Sequence, residues 1–352
     1  MLVSKIIETR DYVKTLAAID TGNTVLIVSS KGFQCRGEIE RIKTQLKEKN
    51  VLVCSNISSN PQLVDLLSLI DKFKSQPIHT IIAIGGGSVI DAAKVLSFGL
   101  VSNNKHELLS LLEKASSEQL PHLELITIPT TSGTGSEVTP FATVWDRESN
   151  AKKSLYGVCS DIVILDPTLT IMLPRDITLY SGLDTLSHAL ESLWNVNRNF
   201  ISEVYAVRAI ILVCNYFPIV LREPNNLEAR QFMQQAALLA GLAISITKTA
   251  IAHAISYPLT LHFSMPHGLA CGFTLQAILA LVKSEDLKFL APHADKVVDL
   301  LNSLSLRDEV AKFANKAQII EALTVELNTS RASNFIYSKT DNLVNSILNS
   351  SL

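Results

Sequence analysis

Residues 252–268 read AHAISYPLTLHFSMPHG, and they hold three of the eight histidines in the chain. On one straight helix His253 and His267 would lie roughly 21 Å apart, at about 1.5 Å per residue, too far apart to bind one ion. Pro258 and Pro266 are residues that can end or redirect a helix. We therefore predict a bend that brings the two histidines together.

A second group of ligand-type residues lies upstream, where residues 182–188 read GLDTLSH. Asp184 and His188 are four residues apart, which on a helix places them on one face in adjacent turns. One Asp and three His form a divalent-metal set, and imidazoles with a single carboxylate suit zinc or ferrous iron better than calcium or magnesium. Each piece taken alone also fits a helix-surface pair or a satisfied interior histidine.

Residues 24 to about 100 alternate between strand-like and helical patterns. Strand-like apolar runs occupy 25–28, 51–54 and 80–84, and helical apolar spacing occupies 38–49, 61–73 and 89–98. This alternation predicts a parallel sheet, with 162–165 as a last strand. Beyond it the spacing is helical at 177–193, 201–215, 228–245, 273–282 and 294–304, which predicts an all-helical second domain.

Length and composition indicate a globular protein. The 352 residues suggest about two domains, and 47% are hydrophobic against 18% charged. A net charge of −2 gives no electrostatic case for binding nucleic acid or an anionic membrane. Residues 1–8 lack the apolar core of a signal peptide, and no apolar run reaches the about 18 residues of a membrane span, so we expect a cytoplasmic protein. The five cysteines, odd in number and scattered, are interpreted as reduced, packed thiols.

Two segments of the first domain suit a nucleotide. The strand at 80–84 runs into Gly85-Gly86-Gly87-Ser88 ahead of a helix, which presents backbone N–H groups to an anion. The spacing is not G-x-G-x-x-G, and a glycine run after a strand also occurs in ordinary tight turns. Residues 128–139, IPTTSGTGSEVT, are rich in hydroxyls and small side chains, and they fit either a nucleotide-wrapping loop or a polar surface loop.

Three features together resemble the metal signature of the iron-containing (group III) alcohol dehydrogenase family: Asp184-x-x-x-His188, two histidines fourteen residues apart, and Pro266-His267-Gly268. The resemblance implies that one divalent ion, Fe²⁺ or Zn²⁺, is bound and mediates catalysis through Asp184, His188, His253 and His267. Many members carry a further histidine four residues after the third ligand, beside the substrate and the nicotinamide. This chain has Tyr257 there, so a proton relay through that position is not implied.

The glycine run with Asp91 and Lys94, and residues 128–139, also resemble segments of this family that contact the dinucleotide. The implied cofactor-binding residues are Gly86, Gly87, Ser88, Asp91, Thr130, Thr131 and Thr134, with Lys152 from the following hairpin. An acidic residue after the first strand would bind the adenosine ribose and repel a 2′-phosphate. Where NAD-preferring members carry Asp, this chain has Ser30 beside Lys31, which favours NADPH or the use of both NADPH and NADH.

Around the third proposed ligand, residues 243–258 read AISITKTAIAHAISYP, which resembles the phosphonoacetaldehyde reductase (hydroxyethylphosphonate dehydrogenase) branch of the family. A phosphonate head group needs a cation and several hydroxyls. The predicted substrate residues are Thr247, Lys248, Thr249, Tyr257 and His262. Lys248 lies about 140° round a helix from His253, so it need not face the ion, and a solvated lysine is the alternative interpretation.

The predicted fold is an α/β N-terminal dinucleotide-binding domain over residues 1–173 and an all-α C-terminal metal-binding and substrate domain over residues 174–352, an architecture similar to dehydroquinate synthase. The predicted reaction is metal-dependent, NAD(P)H-linked reduction of a small aldehyde, phosphonoacetaldehyde to 2-hydroxyethylphosphonate, in a homodimer. Three alternatives remain: a generic short-chain alcohol dehydrogenase, a lyase like dehydroquinate synthase, and a metal-stabilised binding protein without turnover.

Overall fold

The computed structural model describes residues 4–113, 118–149, 151–325, 327, 329–337 and 341–352. Its backbone divides into two compact units. Unit 1 comprises Met1–Thr131 and Ser136–Thr170, and unit 2 comprises Ser132–Gly135 and Ile171–Leu352. The predicted domain boundary at residue 173 lies close to the end of unit 1, but the short segment Ser132–Gly135 belongs to unit 2.

Unit 1 is an α/β unit. Its strands are β1 (Lys5–Glu8), β2 (Thr24–Ser29), β3 (Asn50–Cys54), β4 (Thr80–Gly85), β5 (Glu124–Pro129), β6 (Phe141–Asp146), β7 (Ala151–Tyr156) and β8 (Ile162–Leu165). Its helices are α1 (Tyr12–Ala17), α2 (Lys31–Cys35), α3 (Glu38–Gln45), α4 (Leu63–Phe73), α5 (Gly87–Val101) and α6 (Lys105–Glu113). Six strands form a parallel sheet in the order β1-β8-β5-β4-β2-β3, and β6 pairs with β7 as an antiparallel hairpin. The predicted parallel sheet is confirmed.

The sheet is covered by helices on both faces. On β2, Val25 and Ile27 join the apolar cluster formed with α1, α2 and α3, whereas Leu26 and Val28 join the cluster formed with α4, α5 and α6. Successive side chains of a strand point to opposite faces, so both sets are buried. This explains why the central strands are unbroken apolar runs rather than alternating ones.

Unit 2 is helical. Its helices are α7 (Arg175–Leu193), α8 (Phe200–Arg222), α9 (Leu227–Thr247), α10 (Ile251–Phe263), α11 (His267–Gly272), α12 (Leu275–Leu281), α13 (Ala294–Ser303), α14 (Leu306–Ala311), α15 (Lys316–Val325), α16 (Thr329–Ala332) and α17 (Asp341–Ser351). Within the described part of unit 2, the isolated bridge between Asn195 and Phe335 is the only β-type pairing. The predicted all-helical character is confirmed. The core includes the fully buried Trp194 of the α7–α8 connection and Phe217 of α8.

The bend between the two histidines occurs at the second proline, not the first. Pro258 lies inside α10, which continues to Phe263, so the prediction that Pro258 ends or redirects the helix is wrong. The chain turns at Ser264, whose φ of 51° is left-handed, and Pro266 immediately precedes α11. A left-handed residue ends a helix because its backbone cannot continue the right-handed turn.

Helix α8 meets the length and composition expected of a membrane span, with a mean hydropathy of 1.9 over its most apolar window, and so does the bent pair α9–α10. The expectation that no apolar run reaches that length is therefore wrong for α8. The core helix of a globular protein meets the same criterion. In α8, 39% of the apolar window is buried, and the buried residues of the helix include Ala206, Ile210 and Phe217.

A buried lysine fixes the segment that follows the hydroxyl-rich loop. Lys94 of α5 is 0% exposed, and its ammonium donates to the carbonyl oxygens of Ser136, Thr139 (2.7 Å) and Phe141 (3.0 Å). Burial lowers the pKa of Lys94, while the neighbouring Asp91 opposes this change. The contacts tie α5 to the start of the β6–β7 hairpin within unit 1.

We expect Lys94→Met to lower the free energy of unfolding by roughly 3 kcal/mol, because three buried carbonyls lose a charged donor. The control is Lys105→Met, which removes an exposed ion pair with Asp71 and should cost less than about 1 kcal/mol. Urea denaturation of both variants measures the difference. Equal losses would contradict a structural role for the buried ammonium.

Candidate metal centre and nucleotide segments

Helix α7 carries the first two proposed ligands. Asp184 and His188 are one helical turn apart, and each is about 5% exposed. Nε2 of His188 lies 3.6 Å from Oδ1 of Asp184. These polar groups are buried because other parts of the protein cover α7 on almost every side from Leu179 to Leu193. Such buried groups require partners from other helices.

Helices α10 and α11 supply those partners. Nε2 of His253 lies 3.0 Å from Nε2 of His188 and 3.8 Å from Oδ1 of Asp184. Nε2 of His267 lies 3.9 Å from the same oxygen, and the rings of His253 and His267 are 5.1 Å apart at their centroids. The four residues predicted from the sequence are thus brought together within unit 2.

Small residues let α11 approach α7 this closely. A Cβ added at Gly268 would lie 1.8 Å from the carbonyl oxygen of Tyr180 and 3.2 Å from Cβ of Asp184. One added at Gly272 would lie 2.9 Å from the side chain of Leu183. The glycine after His267 is therefore required by backbone contact, and it positions the histidine beside Asp184.

The arrangement fits a divalent ion. Ligands about 2.1 Å from a tetrahedral ion are roughly 3.4 Å from one another, and the distances among these donor atoms scatter around that value. Two imidazole nitrogens that face each other at 3.0 Å repel if both carry lone pairs, and a shared cation removes that repulsion. The side chain of His267 is 33% exposed, so this side of the cluster is open to solutes.

Cys271 is a further candidate ligand that the sequence analysis treated only as a packed thiol. It is buried, its Sγ lies 3.8 Å from Nε2 of His267, and one ligand atom each of Asp184, His253, His267 and Cys271 lie within 4.8 Å of one another. The sequence feature that could have indicated Cys271 as a ligand is its position four residues after His267, which on a helix is the same face.

Glu191 is a second buried acid that the sequence analysis missed. It is 0% exposed, and its carboxylate contacts the backbone N–H of Ala252, the backbone N–H of His253 and the imidazole of His253. Burial raises the pKa of Glu191 to about 7, against the lowering effect of the backbone N–H groups. The sequence feature that could have indicated Glu191 is its position seven residues after Asp184, which on a helix is the same face.

Within unit 1, the predicted cofactor residues follow three neighbouring strands. Ser30 follows β2, Gly86 begins the turn after β4, and Thr130 follows β5. The last residues of these strands are paired in the sheet, Ser29 with Ile84 and Gly85 with Pro129. From β2 the chain passes to β3 on one side of it, and the next strand, β4, lies on the other side of β2. The carboxyl ends of β2 and β4 therefore flank a topological switch point. Open α/β sheets bind ligands at this position.

The remaining predicted cofactor residues have contacts within the protein. Asp91 accepts hydrogen bonds from the Ser136 hydroxyl and the Thr143 N–H (2.8 Å), and burial raises its pKa. Lys152 lies on β7 with its ammonium 5.6 Å from the Trp145 ring centroid. Gly87 and Ser88 open α5, Thr131 lies beside Gly86, and Thr134 lies in the segment that belongs to unit 2. Their cofactor roles stay predictions.

The predicted substrate residues divide into buried and exposed ones. The buried Thr247 hydroxyl lies within hydrogen-bonding distance of the Ser192 hydroxyl and of the carbonyl oxygens of Ala243 and Lys248. Lys248 itself is exposed, and it follows α9 with a left-handed φ of 62°. His262 is exposed near the end of α10. Their substrate roles stay predictions.

Tyr257 and Thr249 meet a cation that the sequence analysis did not single out. The Tyr257 ring is parallel to the His267 ring, with centroids 6.2 Å apart. The guanidinium carbon of Arg331 lies 5.0 Å from the Tyr257 centroid, and one of its nitrogens donates to the Thr249 hydroxyl. No local pattern linked Arg331 to His267, because they are far apart in the sequence.

The fold combines a parallel sheet, whose strands end at a position where such sheets bind nucleotides, with a helical unit that holds an Asp–His cluster. This combination is typical of a class of enzymes that depend on a nucleotide cofactor and a metal ion. Residues 4–167 match the profile of the iron-containing alcohol dehydrogenase family, and residues 178–334 match the profile of the C-terminal domain of the same family. The chain belongs to the iron-containing alcohol dehydrogenase family.

Several curated proteins and solved structures are similar to the chain. It is 32% identical to 1-propanol dehydrogenase from Citrobacter freundii over 70% of this chain and 64% of that protein. It is 35% identical to phosphonoacetaldehyde reductase from Streptomyces viridochromogenes over 56% of this chain and 52% of that protein. The matches therefore span less than two thirds of these relatives. The structure of sulfoacetaldehyde reductase from Bifidobacterium kashiwanohense in complex with NAD+ has a TM-score of 0.86 at 25% identity, covering 100% of this chain and 97% of that one.

We expect Asp184→Ala, His188→Ala and His267→Ala to lose the bound ion and nearly all activity while the fold survives, since an incomplete ligand set holds an ion poorly. Cys271→Ala is the control and should retain the ion. Elemental analysis of the purified variants measures this. Full metal occupancy in Asp184→Ala and His267→Ala would contradict the proposed ligands, and metal loss in Cys271→Ala with retention in His188→Ala would assign the fourth position to Cys271.

We expect Ser30→Asp to raise the Michaelis constant for NADPH far more than that for NADH, because a carboxylate there repels the 2′-phosphate. Ser30→Asn has nearly the same shape without the charge, and should affect both cofactors similarly. Steady-state kinetics with both cofactors decide the matter. If Ser30→Asp changes both constants equally, Ser30 does not face the ribose.

Proposed function

We propose that this protein catalyses the metal-dependent, NAD(P)H-linked reduction of a small aldehyde to a primary alcohol. The observation that carries the proposal is the buried cluster of Asp184, His188, His253 and His267. Membership of the iron-containing alcohol dehydrogenase family supports it, as does the similar structure determined with NAD+.

When bound, a divalent ion supplies Lewis-acid polarisation of the aldehyde oxygen, and a reduced nicotinamide supplies the hydride. The side chains of unit 2 would hold the ion: Asp184 would contribute a negative charge, and the three histidines would contribute neutral nitrogen donors. Asp184, His188 and His253 are buried, so these three side chains are shielded from bulk water. In unit 1, the N–H groups at the start of α5 would bind the pyrophosphate of the cofactor.

Phosphonoacetaldehyde is the substrate that we propose, with 2-hydroxyethylphosphonate as the product. Two similar proteins carry names that denote aldehydes with an anionic head group, phosphonoacetaldehyde reductase and sulfoacetaldehyde reductase. A relative named 1-propanol dehydrogenase supports the second candidate, a generic short-chain alcohol dehydrogenase, at comparable identity. The groups around the open side of the cluster favour the first candidate.

Those groups are a cation, a hydroxyl and an aromatic ring. Arg331 donates to Thr249 and lies over Tyr257, whose ring is parallel to that of His267 on the exposed side. A guanidinium stays charged at neutral pH and matches the oxygen atoms of a phosphonate. Lys248, next to Thr249 in the chain, adds a second positive charge on this segment. An aldehyde bound at the cluster would then direct its anionic end towards Arg331 and Lys248.

We expect the wild type to use phosphonoacetaldehyde with a catalytic efficiency orders of magnitude above that for propanal. Lys248→Ala and Arg331→Ala should each remove much of this preference without harming turnover of propanal, because only the anionic head group loses a partner. Steady-state kinetics with both aldehydes give the ratio of kcat/KM.

Lys283→Ala, which removes an exposed lysine beyond the end of α12, is the control and should leave the ratio unchanged. Equal efficiency of the wild type with propanal and phosphonoacetaldehyde would contradict the phosphonate substrate and leave the generic alcohol dehydrogenase. Failure of metal-loaded protein to oxidise NADH or NADPH with any short aldehyde would contradict the reductase itself, in favour of a binding protein or a lyase.

A further inference from the structure

Glu191 lies on the ligand-bearing face of α7. It follows Asp184 by seven residues, which at 3.6 residues per turn places the two side chains about 20° apart round the helix. It is 0% exposed. A buried carboxylate is costly unless its oxygens are hydrogen-bonded, so the partners of Glu191 indicate why it is there.

One carboxylate oxygen binds the start of α10. Oε1 of Glu191 accepts the backbone N–H of Ala252 at 2.6 Å and that of His253 at 3.2 Å. These N–H groups lie in the first turn of α10, where a helix has no carbonyl partner for them. The residue that precedes the helix, Ala250, has no side chain that could cap it. Glu191 therefore caps α10 from another helix, and its negative charge suits the helix N-terminus.

The other oxygen sets the state of the imidazole. Oε2 of Glu191 is hydrogen-bonded to Nδ1 of His253. The ionised carboxylate of Glu191 can only accept, so in that state Nδ1 of His253 carries the proton and donates it. Nε2 of a neutral His253 then has its lone pair, and this atom is the one that faces Asp184 and His188. Metal-binding histidines commonly have their second nitrogen bonded in this way.

We propose that Glu191 is a positioning residue of the metal centre, which holds His253 in the Nδ1–H tautomer and fixes the first turn of α10 so that Nε2 binds the divalent ion. The inference rests on the metal-dependent function proposed above. It explains why one carboxylate contacts both the backbone and the ring of the same histidine.

Glu191→Gln separates this role from a purely structural one. The amide oxygen of Gln can still accept the N–H groups of Ala252 and His253, so the start of α10 stays capped. Its NH₂ group then faces Nδ1 and must donate to it, which moves the ring proton to Nε2 and removes the lone pair that binds the ion. The variant should keep the thermal midpoint of the metal-free protein close to that of the wild type, and it should bind metal about 10- to 100-fold more weakly.

The experiment uses the full chain. Chelator competition with Zn²⁺ and with Co²⁺ gives the metal dissociation constants of wild type and Glu191→Gln, and two-bond ¹H–¹⁵N spectra of histidine-labelled, metal-free protein give the tautomer of His253. The control is Asp166→Asn, which alters a carboxylate of unit 1 that is also 0% exposed and bonded to a backbone N–H, and it should leave the metal constants unchanged.

A weaker metal constant together with an Nε2–H tautomer in Glu191→Gln supports the inference. An unchanged constant overturns it. An Nε2–H tautomer of His253 in the metal-free wild type also overturns it, and that measurement does not depend on any variant folding. Failure of the wild type itself to bind Zn²⁺ or Co²⁺ would instead contradict the proposed function.

Discussion

The helical unit depends on the burial of three ionisable side chains along one face of α7. Asp184, His188 and Glu191 lie in an almost fully covered helix, where unpaired polar groups would be destabilising. The start of α10 meets this requirement for Glu191, through the N–H groups of Ala252 and His253 and the imidazole of His253. For Asp184 it is the imidazoles of His188, His253 and His267 that lie nearby, 3.6 to 3.9 Å from its Oδ1. The contacts that compensate for the burial of Glu191 also orient His253 towards Asp184 and His188, so one carboxylate serves both the packing of α10 and the proposed metal centre.

The α/β unit follows a different constraint. Its central strands are buried on both faces, so polar groups are confined to their ends, where the backbone leaves the sheet. Ser30, Gly86 and Thr130 follow three adjacent strands there. Lys94 plays the part in this unit that Glu191 plays in the other: a buried charge that is tolerated because several backbone groups of a neighbouring segment bind it.

Substrate choice within the family can be considered separately from the metal chemistry. Among the four proposed ligands, Asp184, His188 and His253 are buried, and only His267 is substantially exposed. Selectivity for a head group therefore depends on what surrounds His267. The Tyr257 ring lies parallel to that of His267, and Arg331 lies over the Tyr257 ring, so the anionic aldehyde proposed above would find a fixed cationic partner there. A neutral alcohol would gain nothing from that charge.

Apolar periodicity is a local property, so the sequence was enough to predict four strands of the parallel sheet and the long helices. The spacing of Asp184, His188, His253 and His267, together with the family resemblance, indicated the four proposed ligands. Asp184 and His188 were recognisable together since they are one turn apart. Only the tertiary structure decided that Pro258 continues α10 while Ser264 and Pro266 make the bend, that Gly268 lets α11 contact α7, and that Glu191 and Arg331 reach the site. Glu191 contacts a backbone 61 residues away, and such a contact depends on how helices pack, which no local pattern records.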